Sequence, residues 1–266
     1  MSPSRKNLQL NNDFNLVDTH CHLDFDSFSP RLADTLEAAR LAGVKRFVVP
    51  GVHPGNWGRI AAIAKGNDGV FAAFGIHPMY ADLADGLALQ QLTHLAVNAV
   101  AIGEIGLDPL YPVPPEVQER AFIVQLRLAV SRGLPVLIHC RRSFQRVYQI
   151  MKEEKAVEIG GIMHAFSGSV EMAREFIGLG FAIAISGTVT WDKARRPAKL
   201  ARELPLESLV LETDAPDLTP QCYRGEPNQP AYLAEVLQSV SWLRDEDPAE
   251  VALQMTLTAE RIFRWG

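Results

Sequence analysis

Short apolar runs alternate along this chain with longer stretches of helical period. The runs fall at 16–20, 46–50, 70–76, 99–104, 135–139, 160–164, 181–186 and 208–212. Near-continuous apolar segments of this length predict strands buried on both faces. Between them, 31–42, 55–66, 87–97, 116–132, 142–155, 169–179 and 193–203 predict helices, followed by a C-terminal pair near 230–243 and 248–262. Within 116–132, Val117, Phe122, Leu126 and Val130 recur at helical spacing and predict the buried stripe of that helix. Asp82, Ser169 and Asp247 stand where helices should start, and Gly43, Gly133 and Gly180 where they should stop.

Eight strand–helix units with no low-complexity linker predict an α/β fold, a (β/α)8 TIM barrel filling 16–266 as one domain. An open doubly wound sheet is the other arrangement of such units. It brings the ends of strands 1, 4, 5, 6 and 8 around one point far less directly than a closed barrel does. No GxGxxG or P-loop pattern is present to favour a nucleotide-binding open sheet.

Composition narrows the class. The chain has 266 residues, 47% hydrophobic and 21% charged, which suits a globular protein with a large core. No apolar run reaches membrane-spanning length. Residues 1–15 are polar and lack the apolar centre of a secretory signal, so they predict a mobile tail. Three unevenly spaced cysteines argue against a disulfide framework and fit a reducing cytoplasm. A net charge of −5 argues against coating long DNA by bulk electrostatics, and leaves room for a few nucleotides held locally.

The chemistry lies at the strand ends. LVDTHCHLD (16–24), VAIGEIGLD (100–108), PVLIHCR (135–141), GGIMHAFSG (160–168) and LVLETDAP (209–216) place His20, His22, Glu104, His139, His164 and Asp214 in or just after apolar runs. Taken alone, an HxH pair is more often a surface or core feature, and a lone strand-end histidine is more often satisfied by a neighbouring backbone. Repetition at equivalent positions points instead to one pocket of mixed imidazole and carboxylate ligands, enough for two divalent ions. His20 and His22 share parity on an extended segment, as does Asp18, which is placed to orient a ligand; Cys21 has the opposite parity. Glu104 inside an apolar run is costly unless it is paired, and its two oxygens suit a bridging role. Asp214 can both bind a metal and take a proton. His77 in FGIHP is read as a substrate contact, His53 and His94 as surface or structural. Arg141, Arg142 and Arg224 are candidates for holding an anionic substrate, although for each a solvated surface arginine is the blander reading.

Taken in order, DTHCHLD, GIHP, GEIGLD, QERAFIVQLRLA, LPVLIHCR, HAFSGS, LETDAPDLTP and RGEPNQPAYL resemble the TatD family of metal-dependent hydrolases, a branch of the amidohydrolase-like barrels. The resemblance runs from about Leu16 to the C-terminus. It implies a binuclear centre of Mg, Mn or Zn held by His20, His22, Glu104, His139, His164 and Asp214. It also implies phosphoester hydrolysis by metal-activated water, deoxyribonuclease activity being the best-known instance. Where related barrels often carry a modified lysine on the fourth strand, this chain has Glu104. Two departures stand out. Pro109 and Leu110 intervene between GLD and Tyr111, where the family commonly has an aromatic residue at once, and Glu226 replaces a usual basic residue after RG.

The expected division puts His20, His22 and Asp214 at one ion and His139 and His164 at the other, with Glu104 shared. Asp214 and Glu104 are the expected catalytic groups. The expected substrate is a small phosphoester or a single-stranded nucleic acid end, and the protein is expected to be a cytoplasmic monomer without an obligate partner. The rival readings are an amidase or lactonase on the same barrel, and a non-catalytic metal-dependent binding protein.

Overall fold

The computed structural model describes residues 14–265. Its strands are β1 (Leu16–Asp18), β2 (Val44–Pro50), β3 (Val70–Phe74), β4 (Ala101–Leu107), β5 (Val136–Cys140), β6 (Gly161–Met163), β7 (Phe181–Ile185) and β8 (Leu209–Leu211). Each pairs in parallel with its sequence neighbour, in the order β1 to β8. The Thr19 amide donates to the Leu211 carbonyl (3.1 Å) and the Asp214 amide to the His20 carbonyl (2.8 Å), which draws β8 back against β1. The result is a nearly closed (β/α)8 barrel. The helices between strands are α1 (Leu32–Leu41), α2 (Trp57–Gly66), α3 (Gly86–Leu95), α4 (Pro115–Arg132), α5 (Phe144–Glu153), α6 (Val170–Gly178) and α7 (Arg195–Glu203); α8 (Leu233–Arg244) and α9 (Pro248–Phe263) follow β8.

Two layers of apolar packing hold it. Outward-facing strand residues such as Phe47, Ile102, Ile138 and Ile183 meet the helices in one cluster. Inward-facing Val17, Val48, Ala73, Leu137, Ile162 and Val210 fill the barrel, and Ala259, Ile262 and Phe263 of α9 join them. The C-terminal helix therefore closes the end opposite the strands' C-termini. Arg46 on β2 seals it further, bonding Glu260 (2.6 Å) and stacking over Trp265 (5.0 Å).

Helix punctuation follows the sequence with one correction. Ser169 caps α6 through the Met172 amide and Asp247 caps α9 through the Ala249 amide. Asp82 instead lies within a short 3-10 turn, and Asp85 caps α3 by accepting from Ala88 (2.8 Å). The buried face of α4 is also rotated from the expected stripe. Phe122 and Leu126 are buried, while Val117 and Val130 flank a face that includes Gln118 and Gln125. Those glutamines are buried because each pairs with strand-end backbone: Gln125 with both polar groups of Ile76, Gln118 with both of Asp108. Most of the predicted tail, residues 1–13, lies outside the described residues. Within the expected tail, Phe14 packs partly buried against the core and the Asn15 carbonyl accepts from Thr256.

Candidate metal centre

Strand parity brings the chemistry to one mouth. Residues two beyond inward-facing Leu137 and Ile162 are His139 and His164; two and four beyond Val210 are Glu212 and Asp214; four beyond Ala73 is His77. Glu104 reaches the mouth differently. It lies inside β4 rather than at a strand end, because β4 runs on to Leu107. Strict alternation from Ala101 would turn Glu104 outward. The β4–β5 register instead shifts between Ile102 and Ile105, and a bulge of this kind re-aims a side chain. Both isoleucines then face the helices and Glu104 faces the pocket. The crossing is tight. The Glu104 amide donates to Gly51 O (2.9 Å), and a Cβ on Gly75 would sit 2.6 Å from the Gly103 carbonyl carbon. At Gly106 (φ 149) a Cβ would overlap the His139 carbonyl oxygen, so only glycine lets β4 and β5 approach this closely.

All six predicted ligand residues converge. Glu104 Oε1 lies 2.9 Å from His139 Nδ1 and 3.8 Å from His164 Nε2; Glu104 Oε2 lies 3.3 Å from His20 Nε2. Asp214 Oδ1 lies 3.5 Å from His22 Nε2, 3.5 Å from His164 Nε2 and 3.8 Å from His20 Nε2. His20 stacks on His164 with ring centroids 3.6 Å apart. One group able to hold an ion joins His20, His22 and Asp214, as expected; another joins Glu104 and His139 with His77. A third group joins His164 to His20 and Glu212. The His164 ring lies 6.4 Å from that of His139, with Nε2 3.8 Å from Glu104 and 3.5 Å from Asp214.

Electrostatics reflect this crowding. Burial alone would raise the Glu104 pKa, but His20, His164, His77 and the His139 bond hold it well below the usual carboxylate range. Asp214 is likewise lowered against its burial, by His164, His22 and His20. Burial disfavours charge on His164, yet Glu212, Asp214 and Glu104 push it up to about 10. Two ring nitrogens of His20 and Nδ1 of His22 are buried with no hydrogen-bond partner. Such orphaned atoms cost about 1–3 kcal/mol each. A divalent cation between these groups would take the lone pair of His20 Nε2 and offset the negative charge of Glu104 and Asp214. The donor set, rich in imidazole nitrogen with carboxylate oxygen beside it, suits Zn or Mn better than Mg.

A second ring of groups fixes the first. Asp18 is fully buried and does not touch a ligand ring. It accepts from the Thr213 amide (2.9 Å), the Thr213 hydroxyl (2.6 Å) and the His20 amide (3.3 Å), so it clamps the ends of β1 and β8 that carry the histidines and Asp214. Burial raises its pKa to about 7, against those bonds. Buried Asn228, from RGEPNQP, donates to Thr213 O and Asp217 O and braces the same loop. Glu212 Oε2 pairs with His164 Nδ1 (2.9 Å) and Oε1 accepts from the Ala165 amide (2.8 Å). Asp108 Oδ2 pairs with His139 Nε2 (3.0 Å). Each of these two histidines thus shows one nitrogen to the pocket and the other to a buried carboxylate.

The arginines divide. Arg141 is exposed at the mouth, near enough to help hold the Asp108 pKa down against burial, behind the His139 and Leu110 bonds. Arg142 is exposed and carries no ion pair among the described residues. Arg224 is also exposed, 6.0 Å over the Trp191 ring in the loop after β8. Tyr111, delayed by Pro109 and Leu110, still meets His77 edge-on at 5.5 Å. His53 caps a turn through the Gly55 amide, and His94 is exposed on α3, both as expected.

Barrel and pocket together define a protein of the metal-dependent hydrolase class. Residues 17–264 match the family described as TatD related DNase. The chain belongs to the TatD family. It is 36% identical over 252 residues to the uncharacterized metal-dependent hydrolase YabD of Bacillus subtilis, covering 94% of this chain and 99% of the relative. It is 36% identical over 253 residues to YjjV of Escherichia coli, also described as an uncharacterized metal-dependent hydrolase, covering 93% and 97%. The crystal structure of YjjV, a TatD homologue, superposes with a TM-score of 0.90, covering 94% of this chain and 98% of that one.

Proposed function

We propose that this chain hydrolyses phosphoester bonds at a centre of two divalent ions, as a deoxyribonuclease-like enzyme on single-stranded ends or small phosphoesters. The observation that carries this is the convergence of buried imidazoles on two buried carboxylates, with His20 Nε2, which has no hydrogen-bond partner, 3.3 Å from Glu104 and 3.8 Å from Asp214. His20, His22, Glu104, His139, His164 and Asp214 hold the ions. When bound, the ions supply Lewis acidity toward the phosphoryl oxygens and make a water molecule acidic enough to react near neutral pH. Asp214 takes up the proton released from the attacking water. Glu104, with one oxygen toward His139 and the other toward His20, keeps the two ligand groups in fixed relation. Arg141 holds a flanking phosphate at the mouth; Arg142 and Arg224 lie on exposed loops where a longer strand could reach them. The family's description as DNase-related supports the substrate class. The same reading takes 16–266 as one catalytic domain of a cytoplasmic monomer with no obligate partner. No helix of the described residues is long and apolar enough to cross a membrane.

The test is a panel of p-nitrophenyl phosphodiesters, lactones and short single- and double-stranded DNA, run with Mn and with Mg. Phosphodiester and single-strand cleavage is expected to dominate. With a net charge of −5 and few phosphates held, binding of single strands should depend weakly on salt, with a log–log slope of about −2 or shallower. Lactone hydrolysis alone, or tight and steeply salt-dependent binding to blunt duplex, would sink the proposal.

Glu212→Gln tests the outer carboxylates. A glutamine offers one acceptor oxygen to the two donors that Glu212 now satisfies, His164 Nδ1–H and the Ala165 amide. Divalent-metal affinity is expected to fall about 10–100-fold, read by calorimetry, with the far-ultraviolet spectrum preserved. Unchanged affinity would show that Glu212 does not act through His164.

A further inference from the structure

His77 stands among the candidate ligands, with Nε2 3.8 Å from Glu104 Oε1 and a ring 4.3 Å from that of His139. Distance alone makes it a seventh ligand. The other side of the ring says otherwise. The Met79 backbone amide donates to His77 Nδ1 at 3.1 Å, in the turn that His77 itself caps. A backbone N–H is always a donor, so Nδ1 must carry a lone pair. Turning the ring over would set a C–H against that N–H. In a neutral imidazole the proton then sits on Nε2, the atom that faces the pocket. A protonated Nε2 donates a hydrogen bond and cannot at the same time give a lone pair to a metal.

The contrast with His139 and His164 is chemical. Those rings present their far nitrogens to Asp108 and Glu212, carboxylates that accept a hydrogen bond from a ring N–H and so leave the lone pair on the pocket-facing nitrogen, free to bind a cation. His77 has a donor where they have acceptors. Its placement is rigid: Gln125, buried in α4, bonds both the amide and the carbonyl of Ile76, immediately before it. The ring is nearly buried, and Tyr111 closes over its edge.

We propose that His77 is not a metal ligand but a fixed, neutral hydrogen-bond donor that catalyses the reaction by binding, through Nε2–H, a non-bridging oxygen of the phosphoester as charge builds on it. This rests on the phosphoester reading for the identity of the oxygen, and on the Met79 contact alone for the donor state. A donor already aimed into a water-poor site needs no reorganisation when charge develops, and loss of one such donor costs about 10²–10³ in turnover.

Two measurements separate the donor state from the catalytic role. Zn2+ binding by calorimetry to wild type, His77→Gln and His139→Gln reports ligation without any substrate. His77→Gln is expected to keep wild-type stoichiometry and affinity within about threefold, while His139→Gln loses at least about tenfold. Nitrogen NMR of histidine-labelled, Zn2+-loaded wild type should show His77 as the Nε2–H tautomer, a readout that needs no variant to fold. Matching losses of Zn2+ affinity in both variants, or a His77 signal with Nε2 deprotonated, would overturn the proposal. On the phosphodiester that wild type cleaves fastest, kcat of His77→Gln is expected to fall about 10²–10³-fold with KM changed little; an unchanged kcat would overturn the catalytic role. If wild type cleaves only lactones or amides, the phosphoester reading fails, and with it the assignment of the oxygen, while the Zn2+ and tautomer results still decide whether His77 is donor or ligand.

Discussion

Glu104→Gln is expected to lower divalent-metal affinity by about 10²–10⁴-fold and to abolish hydrolysis at any metal concentration that leaves the wild type just saturated. The magnitude follows from what the side chain faces. Its two oxygens lie within 2.9–3.8 Å of nitrogens from His139, His20, His77 and His164, and it is almost wholly buried. If Glu104 only filled a hydrogen-bond slot, the amide would cost about 0.5–1.5 kcal/mol, roughly tenfold at most. With one oxygen toward His139 and the other toward His20, it matters more, as a proposed shared ligand, for its charge than for its hydrogen bonds. Removing one partner from a buried charge cluster costs about 3–5 kcal/mol, which corresponds to about 10²–10⁴ in an equilibrium constant. Glutamine is near-isosteric, so the β4 bulge and the glycine crossing beneath it should persist, and circular dichroism should be unchanged. Calorimetry with Zn2+ or Mn2+ is the measurement. An affinity loss below about tenfold would show that Glu104 is a structural acceptor rather than a shared ligand.

The residues of this centre were legible because barrel geometry turns a one-dimensional rule into a site. His139, His164 and Asp214 each follow an inward-facing apolar residue by an even number of positions, so period-2 alternation alone points them at the mouth. Glu104 was legible for a different reason: a carboxylate in AIGEIG demands a partner wherever it points. Its direction was not legible, because the register shift in β4 that turns it inward depends on how β4 meets β2 and β5. Glu212 carried the same signal as Glu104, a carboxylate closing the apolar run LVL, and shares parity with Asp214. Reading it so would have found the partner of His164. Asp108 lies past a bulge and a glycine of φ 149, so parity could not place it. Gln118 and Gln125 are seven apart on α4, hence on one face. Their burial became intelligible only once Ile76 and Asp108 were seen to present free backbone groups to that face. Pro109 and Leu110 delay the aromatic after GLD, yet Tyr111 still meets His77 edge-on.

Asp214→Asn should lower kcat by about 10²–10⁴-fold, the range associated with losing a positioned acid–base group, while the fold stays intact. Asparagine is the informative substitution for a backbone reason. Asp214 sits in the left-handed region at φ 59, which Asn tolerates about as well as Asp and most other residues do not. Its amide bond to the His20 carbonyl and its carbonyl bond to the Asp217 amide do not involve the side chain, so the closure of β8 onto β1 survives. Asp18, Thr213 and Asn228 brace the same loop independently. What changes is Oδ1, which lies 3.5 Å from both His22 Nε2 and His164 Nε2. As an amide it can no longer take a proton, and it binds a cation more weakly. Those two losses separate by titration: weaker binding is overcome by excess metal, whereas a missing proton acceptor is not. The assay is therefore run with Mn2+ raised until the rate no longer climbs. A plateau at the wild-type rate would mean that Asp214 only helps hold metal. A plateau depressed by two or more orders of magnitude, with thermal unfolding within a few degrees of wild type, would place proton uptake on Asp214 itself.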